Sequence, residues 1–576
     1  MPEISLLLLL ACIGDVAPED DASSAESSPQ VADTATSATS TSTDSTPAED
    51  SGSSGTGSTS TDSTDTGSTD TGSTSTAAAE LEWVEVPVVC GDPEARAEAW
   101  FDHVDLRASE VAWPYGLQSG GLVVADLDDD PQLEILRASN TVIDRYDLES
   151  DGSWTATRLD VVPRVWMGLS VADIDGDHDL DVLLLGFDAP NALLRNEGPA
   201  GFVDVSGASG LVLEPERSSS AAWADWDGDG VLDLAIGKYG SPPVTGDNAH
   251  PSELYRGRGD GTFEDVSELL SGGLEGAYTF HVGWFDLTGD GRPDLIAAND
   301  FPGVRQTQVL YNREEGFEVD GGTGLGAGLD AMGLGVSDLN GDGLPDMAIT
   351  SIDDFGIYGS VAAPDSVLYV DWAPALGMSA LDRIFSWGVG FADTDSDGDE
   401  DLYMVFGDWA ALEDLLADPM PMVDSLWEQD GPAVWVDRAR ERGLDDDRTG
   451  RGLALVDVDR DGWIDPVVHL MEGQTAVHRA RCGDAAWLTL RLRDERTPNT
   501  MGVGAVVDVY VDGKRHRRWL GAGSTSMFTA MQPEVHVGLG DVEIVDRIEV
   551  LWPDGQVTVR DGVPTRRHLT LVRRVR

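Results

Sequence analysis

One nine-residue acidic phrase occurs seven times between residues 126 and 465, and it constrains this chain more than any other feature. Each copy reads Asp-x-(Asp/Asn/Thr)-x-Asp-x-x-x-(Asp/Glu) and is flanked by apolar residues. The first is Asp126-Leu-Asp-Asp-Asp-Pro-Gln-Leu-Glu134 and the last is Asp457-Val-Asp-Arg-Asp-Gly-Trp-Ile-Asp465. The first aspartates of successive copies are 47, 52, 61, 52, 55 and 64 residues apart. A fixed period of this size marks a repeat architecture with one supersecondary unit per copy.

The spacing carries a coordination chemistry. Oxygens at positions 1, 3, 5 and 9, with a backbone carbonyl at 7, wrap a hard cation such as Ca²⁺, which takes six to eight oxygen ligands. The candidate ligands are Asp126, Asp128, Asp130 and Glu134; Asp173, Asp175, Asp177 and Asp181; Asp225, Asp227, Asp229 and Asp233. Next come Asp286, Thr288, Asp290 and Asp294, then Asp338, Asn340, Asp342 and Asp346. The last two sets are Asp393, Asp395, Asp397 and Asp401, and Asp457, Asp459, Asp461 and Asp465. Position 6 is Gly in copies three to seven, where a sharp turn is needed, but Pro131 and His178 in the first two. Proline refuses positive φ, so the first copy is the weakest site. Without metal, each pair of carboxylates about 5 Å apart repels by roughly 3 kcal/mol at an effective dielectric near 20. Mg²⁺ fits less well because it resists complete dehydration.

EF-hands share the start of this pattern but need a bidentate Glu at position 12 and flanking helices. Position 12 is Leu184, Ile236, Ala297, Ile349 and Met404 in copies two to six, inside short apolar runs that read as buried strands. Each loop therefore joins two strands. A period of this length with several short strands per unit predicts an all-β fold, a seven-bladed propeller over residues 81–484.

The chain has 105 Asp+Glu against 37 Lys+Arg, a net charge of −68. That sign argues against nucleic acid and anionic membrane as partners, and for cations or basic surfaces. One divalent ion per loop, up to seven, would offset 14 of those charges. The charge is uneven, since residues 487–576 carry 14 basic and 11 acidic residues. A domain boundary is expected near 485.

At the front, residues 1–12 form a short apolar leader ending Leu9-Leu-Ala-Cys12, which resembles a bacterial lipobox with Cys12 as the lipidated residue. Residues 13–80 are dominated by Ser, Thr, Gly, Asp and Ala, too polar to offset the entropy of ordering. They read as a linker holding an exported body away from the cell envelope or outer membrane.

Between the acidic loops lie recurrent phrases such as Leu254-Tyr-Arg-Gly257 with Gly261-Thr-Phe-Glu-Asp-Val266, and Leu310-Tyr-Asn-Arg313 with Gly316-Phe-Glu-Val319. Together these features resemble the FG-GAP/VCBS repeats of integrin-α-type propellers. The resemblance implies blades closed into a ring with Ca²⁺ on one rim. Ring closure brings first and last blades together, and Cys90 and Cys482 flank them, so a Cys90–Cys482 disulfide is expected. Residues 485–576 alternate as strands and predict a small antiparallel β-sandwich. The phrases Asn499-Thr-Met-Gly502, His536-Val-Gly-Leu-Gly540 and Leu551-Trp-Pro-Asp-Gly555 resemble the ASPIC/UnbV domain. The two parts in this order resemble the cartilage acidic protein 1 family of secreted calcium-binding proteins.

No catalytic constellation stands out. The nine His form no His-x-x-x-His pair, and no Gly-x-Ser-x-Gly elbow or phosphate loop is present. The sequence therefore predicts a calcium-binding surface or secreted module for binding or adhesion, without chemistry of its own. Its ligand would be a protein or glycan, with a basic surface complementing the acidic body. The alternatives are a carbohydrate-active enzyme using the propeller face and a purely structural envelope protein.

Overall fold

The computed structural model describes residues 80–575, apart from 92–95, 97–98, 109–119, 140, 242–243, 321, 353, 379–384, 408–421, 432, 472 and 527. The 1–12 leader, Cys12 and the 13–80 linker up to residue 79 lie outside the described residues.

Seven four-stranded antiparallel sheets form the blades of a propeller. Their first strands line the axis: Leu122–Ala125, Trp166–Ala172, Glu216–Ala224, Tyr278–Phe285, Leu334–Ser337, Ser386–Ala392 and Gly450–Val456. In blade 2, Trp166–Ala172 is buried at every position. This is why such segments read as continuous apolar runs instead of alternating ones. Adjacent blades share cores. Leu136 and Ala138 of blade 1 cluster with Leu169, Val171, Val182 and Leu184 of blade 2. Trp223 and Trp284, each two residues before an acidic loop, are buried between blades. Trp387 is buried too, but six residues ahead of Asp393, under the Arg451 guanidinium at 4.0 Å.

The ring closes by exchange of its ends. The outer strand of blade 7 is the early segment Phe101–Arg107, paired antiparallel with Gln474–Ala480 from Phe101↔Ala480 to Arg107↔Gln474. A disulfide joins Cys90 to Cys482 across 392 residues of sequence, with Cα atoms 5.6 Å apart.

The C-terminal domain is a sandwich of two four-stranded sheets over a core that includes Leu490, Val507, Val537, Ile548 and Leu571. Two features depart from the sequence reading. Strand Glu80–Pro87, placed there with the ring, instead pairs with Arg567–Arg574 and extends the C-terminal sheet. The sandwich is also not wholly antiparallel, because Ala486–Asp494 runs parallel to Arg567–Arg574.

Between the sheets' strands the C-terminal domain sends out a tongue, Gly521–Gln532. Its first strand pairs with the inner strand of blade 3 (Ala522↔Trp223, Gly523↔Ala222). Its second, Thr529–Met531, runs parallel to Leu122–Val124 of blade 1. Val389 of blade 6 donates its N–H to Ser526 Oγ at 3.0 Å. Phe528, 1% exposed, packs in a cluster with Met167, Phe280, Phe385 and Trp387 from blades 2, 4 and 6. The tongue thus pairs its backbone with strands that line the axis, and its aromatic tip is fully desolvated.

Candidate metal centres on the propeller rim

Every acidic loop joins the first strand of its blade to the second, so all seven stand on one rim. Position 1 directly follows the first strand, and position 9 is the opening residue of the second, as with Asp173 and Asp181 around Trp166–Ala172 and Asp181–Ala189. Backbone geometry repeats as well. Position 4 has positive φ in all seven copies, including non-glycines Asp129, Ser396 and Arg460. Position 6 follows suit at Gly230, Gly291, Gly343, Gly398, Gly462 and His178, while Pro131 stands apart.

These conformations aim backbone N–H groups at the aspartates. Position 1 accepts from positions 4 to 6: Gly176 and His178 donate to Asp173 at 2.8 and 2.9 Å, and Gly462 donates to Asp457 at 2.8 Å. Position 5 accepts from position 7 in every copy, as in Asp177 from Asp179 and Asp461 from Trp463. Position 9 has a duty the spacing did not reveal. One oxygen of Asp181 accepts the Ile174 N–H at 2.9 Å, and the other accepts the Asn196 N–H of the third strand at 2.8 Å. Asp233, Asp294, Asp346, Asp401 and Asp465 make the same pair of bonds. Position 9 therefore pins its loop to its own blade. In Asp181, Asp233, Asp294 and Asp465 each oxygen accepts one such bond and keeps a second lone pair for a cation, whereas Ser360 Oγ adds a second bond to Asp346 and Thr394 Oγ1 one to Asp401.

Carboxylates converge within 4.8 Å in five loops: Asp126, Asp128 and Glu134; Asp173, Asp175 and Asp181; Asp225, Asp227 and Asp229; Asp393, Asp395 and Asp401; Asp457, Asp459 and Asp465. Position 5 joins the trio only as Asp229; Asp130, Asp177, Asp397 and Asp461 stand outside it. In loops 4 and 5, where position 3 is Thr288 or Asn340, no three carboxylates come as close among the described residues. Burial raises the proton affinity of these groups. Glu134, Asp181 and Asp233 are pushed up to about 8, and Asp225 and Asp395 to about 6. Asp393, Asp401, Asp457 and Asp465 are held well above the usual carboxylate range by burial and then by neighbouring carboxylates. Such groups require a proton or a cation. Several oxygens also lack any hydrogen-bond partner while buried: Asp175 Oδ1, Asp225 Oδ1, Thr288 Oγ1, Asp395 Oδ1 and Asp457 Oδ1. A buried unpaired oxygen is costly unless something fills its lone pair. A dehydrated Ca²⁺ held by loop oxygens meets that need, so the residues fit the ion.

The rim is not an open acidic face, as the charge count suggested. The C-terminal domain sits on it. Thr500 Oγ1 donates to Asp173, and Thr497 Oγ1 to the Gly230 carbonyl at 3.0 Å. Lys514 bonds Asp399 at 2.5 Å and the Gly398 carbonyl at 2.8 Å. Arg491 reaches Asp126, and Arg515 reaches Asp338. Gly462 lies under the Trp487 ring, with no room for a Cβ. Basic side chains of the chain's own C-terminal domain thus meet several of the acidic loops. None of these docking residues was singled out as functional from sequence. The one available signal was the break in charge near 485.

Comparison with known proteins follows the same division. The FG-GAP-like repeat family matches residues 173–236, 244–297 and 286–349, and the ASPIC and UnbV family matches 495–575. Cartilage acidic protein 1 of Xenopus tropicalis is 22% identical over 468 residues, 68% of this chain and 71% of that protein. Among solved structures, the BP39L lectin of Burkholderia pseudomallei covers 64% of this chain and 97% of its own at 12% identity, with a TM-score of 0.42. A streptogramin B lyase covers 66% and 99% at 11% identity, with a TM-score of 0.40. Likeness of that degree carries nothing about function. With acidic loops on every blade and the Asn499-Thr-Met-Gly502 and His536-Val-Gly-Leu-Gly540 phrases seated on them, the chain is an FG-GAP-repeat protein ending in an ASPIC/UnbV domain.

Proposed function

We propose that this protein is a calcium-loaded binding or adhesion module of the cell surface or extracellular space, without catalysis of its own. The observation that carries the reading is the set of buried, unpartnered loop oxygens at Asp175, Asp225, Thr288, Asp395 and Asp457. Calcium there is structural. It relieves carboxylate repulsion and ties the rim on which the C-terminal domain is seated. The Cys90–Cys482 disulfide supports an oxidising compartment, and attachment through Cys12 would place the protein at the envelope. Because the rim is covered and the tongue fills space along the axis, the ligand, a protein or glycan, binds on the outer blade edges or the opposite rim.

Thermal unfolding of residues 80–576 in calcium and in EGTA tests the metal. An ion at a thousandfold its Kd adds about 4 kcal/mol per site, so chelation lowers the midpoint steeply. An unchanged midpoint removes structural calcium. Assay of the same protein on a polysaccharide panel tests the absence of catalysis, which any turnover overturns.

A further inference from the structure

We propose that two of the seven loops, the first and the fifth, are closed by arginines of the C-terminal domain instead of by calcium, so that the ring holds five ions. This rests on the calcium reading above. The unpartnered oxygens fall in loops 2, 3, 4, 6 and 7; among the described residues, loops 1 and 5 hold none.

In those two loops the position-1 aspartate is met by a guanidinium. Arg491 Nη1 lies 3.0 Å from Asp126 Oδ2 in loop 1. In loop 5, Arg515 Nη2 lies 3.3 Å from Asp338 Oδ2 and donates to the Gly341 carbonyl at 2.9 Å. Arg517 Nη1 donates to the Gly343 carbonyl, also at 2.9 Å. Loop 1 receives a second cation, Arg145, 2.5 Å from Asp128. Arginines stand beside position 3 in other blades too, as with Arg256 and Asp227. Among the described residues, only loops 1 and 5 have a guanidinium within ion-pair distance of position 1, the oxygen set that organises the turn.

Local sequence agrees. Loop 1 carries Pro131 where six copies have positive φ, and loop 5 has neutral Asn340 at position 3. The three carboxylates of loop 1 do approach within 4.8 Å, so their spacing alone would admit an ion. Arg491 on Asp126 and Arg145 on Asp128 place two positive charges against this cluster, and their repulsion excludes a divalent ion. Arg491 and Arg515 come from different sheets of the sandwich, so the two closed loops also fix the domain at two separate points of the ring.

Bound calcium, counted by inductively coupled plasma mass spectrometry after gel filtration, tests this with the whole folded body. Five ions per chain are expected. Asp126→Asn and Asp338→Asn should leave that count unchanged, whereas Asp173→Asn, Asp393→Asn and Asp457→Asn should each lower it by one. Arg491→Met with Arg515→Met should raise it toward seven. The loop variants decide the matter even if the arginine variants misfold. Loss of an ion from Asp126→Asn or Asp338→Asn, or seven ions in the parent, overturns the proposal. A parent chain with no ion overturns the calcium reading itself.

Discussion

Gly538 of the C-terminal domain lies flat against Asp393 of the sixth acidic loop: a Cβ on Gly538 would stand 1.9 Å from Asp393 Oδ2 and 2.8 Å from the Ser396 Cα. Two residues on, the Gly540 N–H donates to the Ser396 carbonyl at 2.8 Å. The Gly-x-Gly of this phrase is therefore a requirement of contact between the domains. Gly538→Ala has no free space and must push the domain off the loop. Overpacking of this kind costs about 1–3 kcal/mol, read as a lower midpoint in thermal unfolding. A neutral effect would show that the domain is not seated there.

Phe528 ties the two domains from the other side. It belongs to the C-terminal domain by sequence, yet its ring sits 6.2 Å from that of Phe280, in a cluster that draws side chains from blades 2 to 6. Phe528→Ala should destabilise the propeller by about 3–5 kcal/mol, the range for emptying a buried aromatic site. Urea unfolding monitored at blade tryptophans reads that loss directly. If only the C-terminal domain weakened, the tongue would not be part of the ring's core.

The Cys90–Cys482 bond closes 392 residues of sequence, for which chain-entropy arithmetic gives an upper figure of roughly 6 kcal/mol. The Phe101–Arg107 strand already pairs with blade 7 beside it, so part of that closure survives reduction. Cys90→Ser with Cys482→Ser should therefore cost about 2–4 kcal/mol while leaving the fold intact. Matched unfolding curves for parent and variant would contradict the bond's presence in solution.

His281, on the inner strand of blade 4, is 2% exposed, and burial lowers its pKa from 6.5 to about 4. The unfolded chain takes up a proton at this residue below pH 6.5 while the folded chain resists until about pH 4. Stability from this group is therefore complete above pH 6.5 and drains away as pH falls to about 4, by about 3 kcal/mol in all. His281→Gln should flatten the pH dependence of the urea midpoint across that window. An unaltered slope would mean that His281 is not held neutral.

Much of this was written in short stretches of chain. A ligand set spans nine residues, and its coordination chemistry depends on spacing alone, so Asp173 to Asp181 announced a cation loop before any fold was known. Strand–loop–strand order and a period near 55 residues then allowed little but a propeller. Position 9 was legible as a carboxylate but not as a brace, because its second bond reaches a strand fifteen residues away, as from Asp181 to Asn196.

What tertiary structure alone decided is the meeting of residues hundreds of positions apart. Arg491 on Asp126, Thr500 on Asp173 and Phe528 against Phe280 join segments 365, 327 and 248 residues apart. No periodicity links such partners, since each contact depends on how two finished bodies fit together. Charge sums could say that an acidic ring seeks a basic surface. Only the packed molecule shows that Arg491, Lys514 and Arg515 of its own last ninety residues face that ring, because shape, unlike spacing or net charge, is not a local property of the chain.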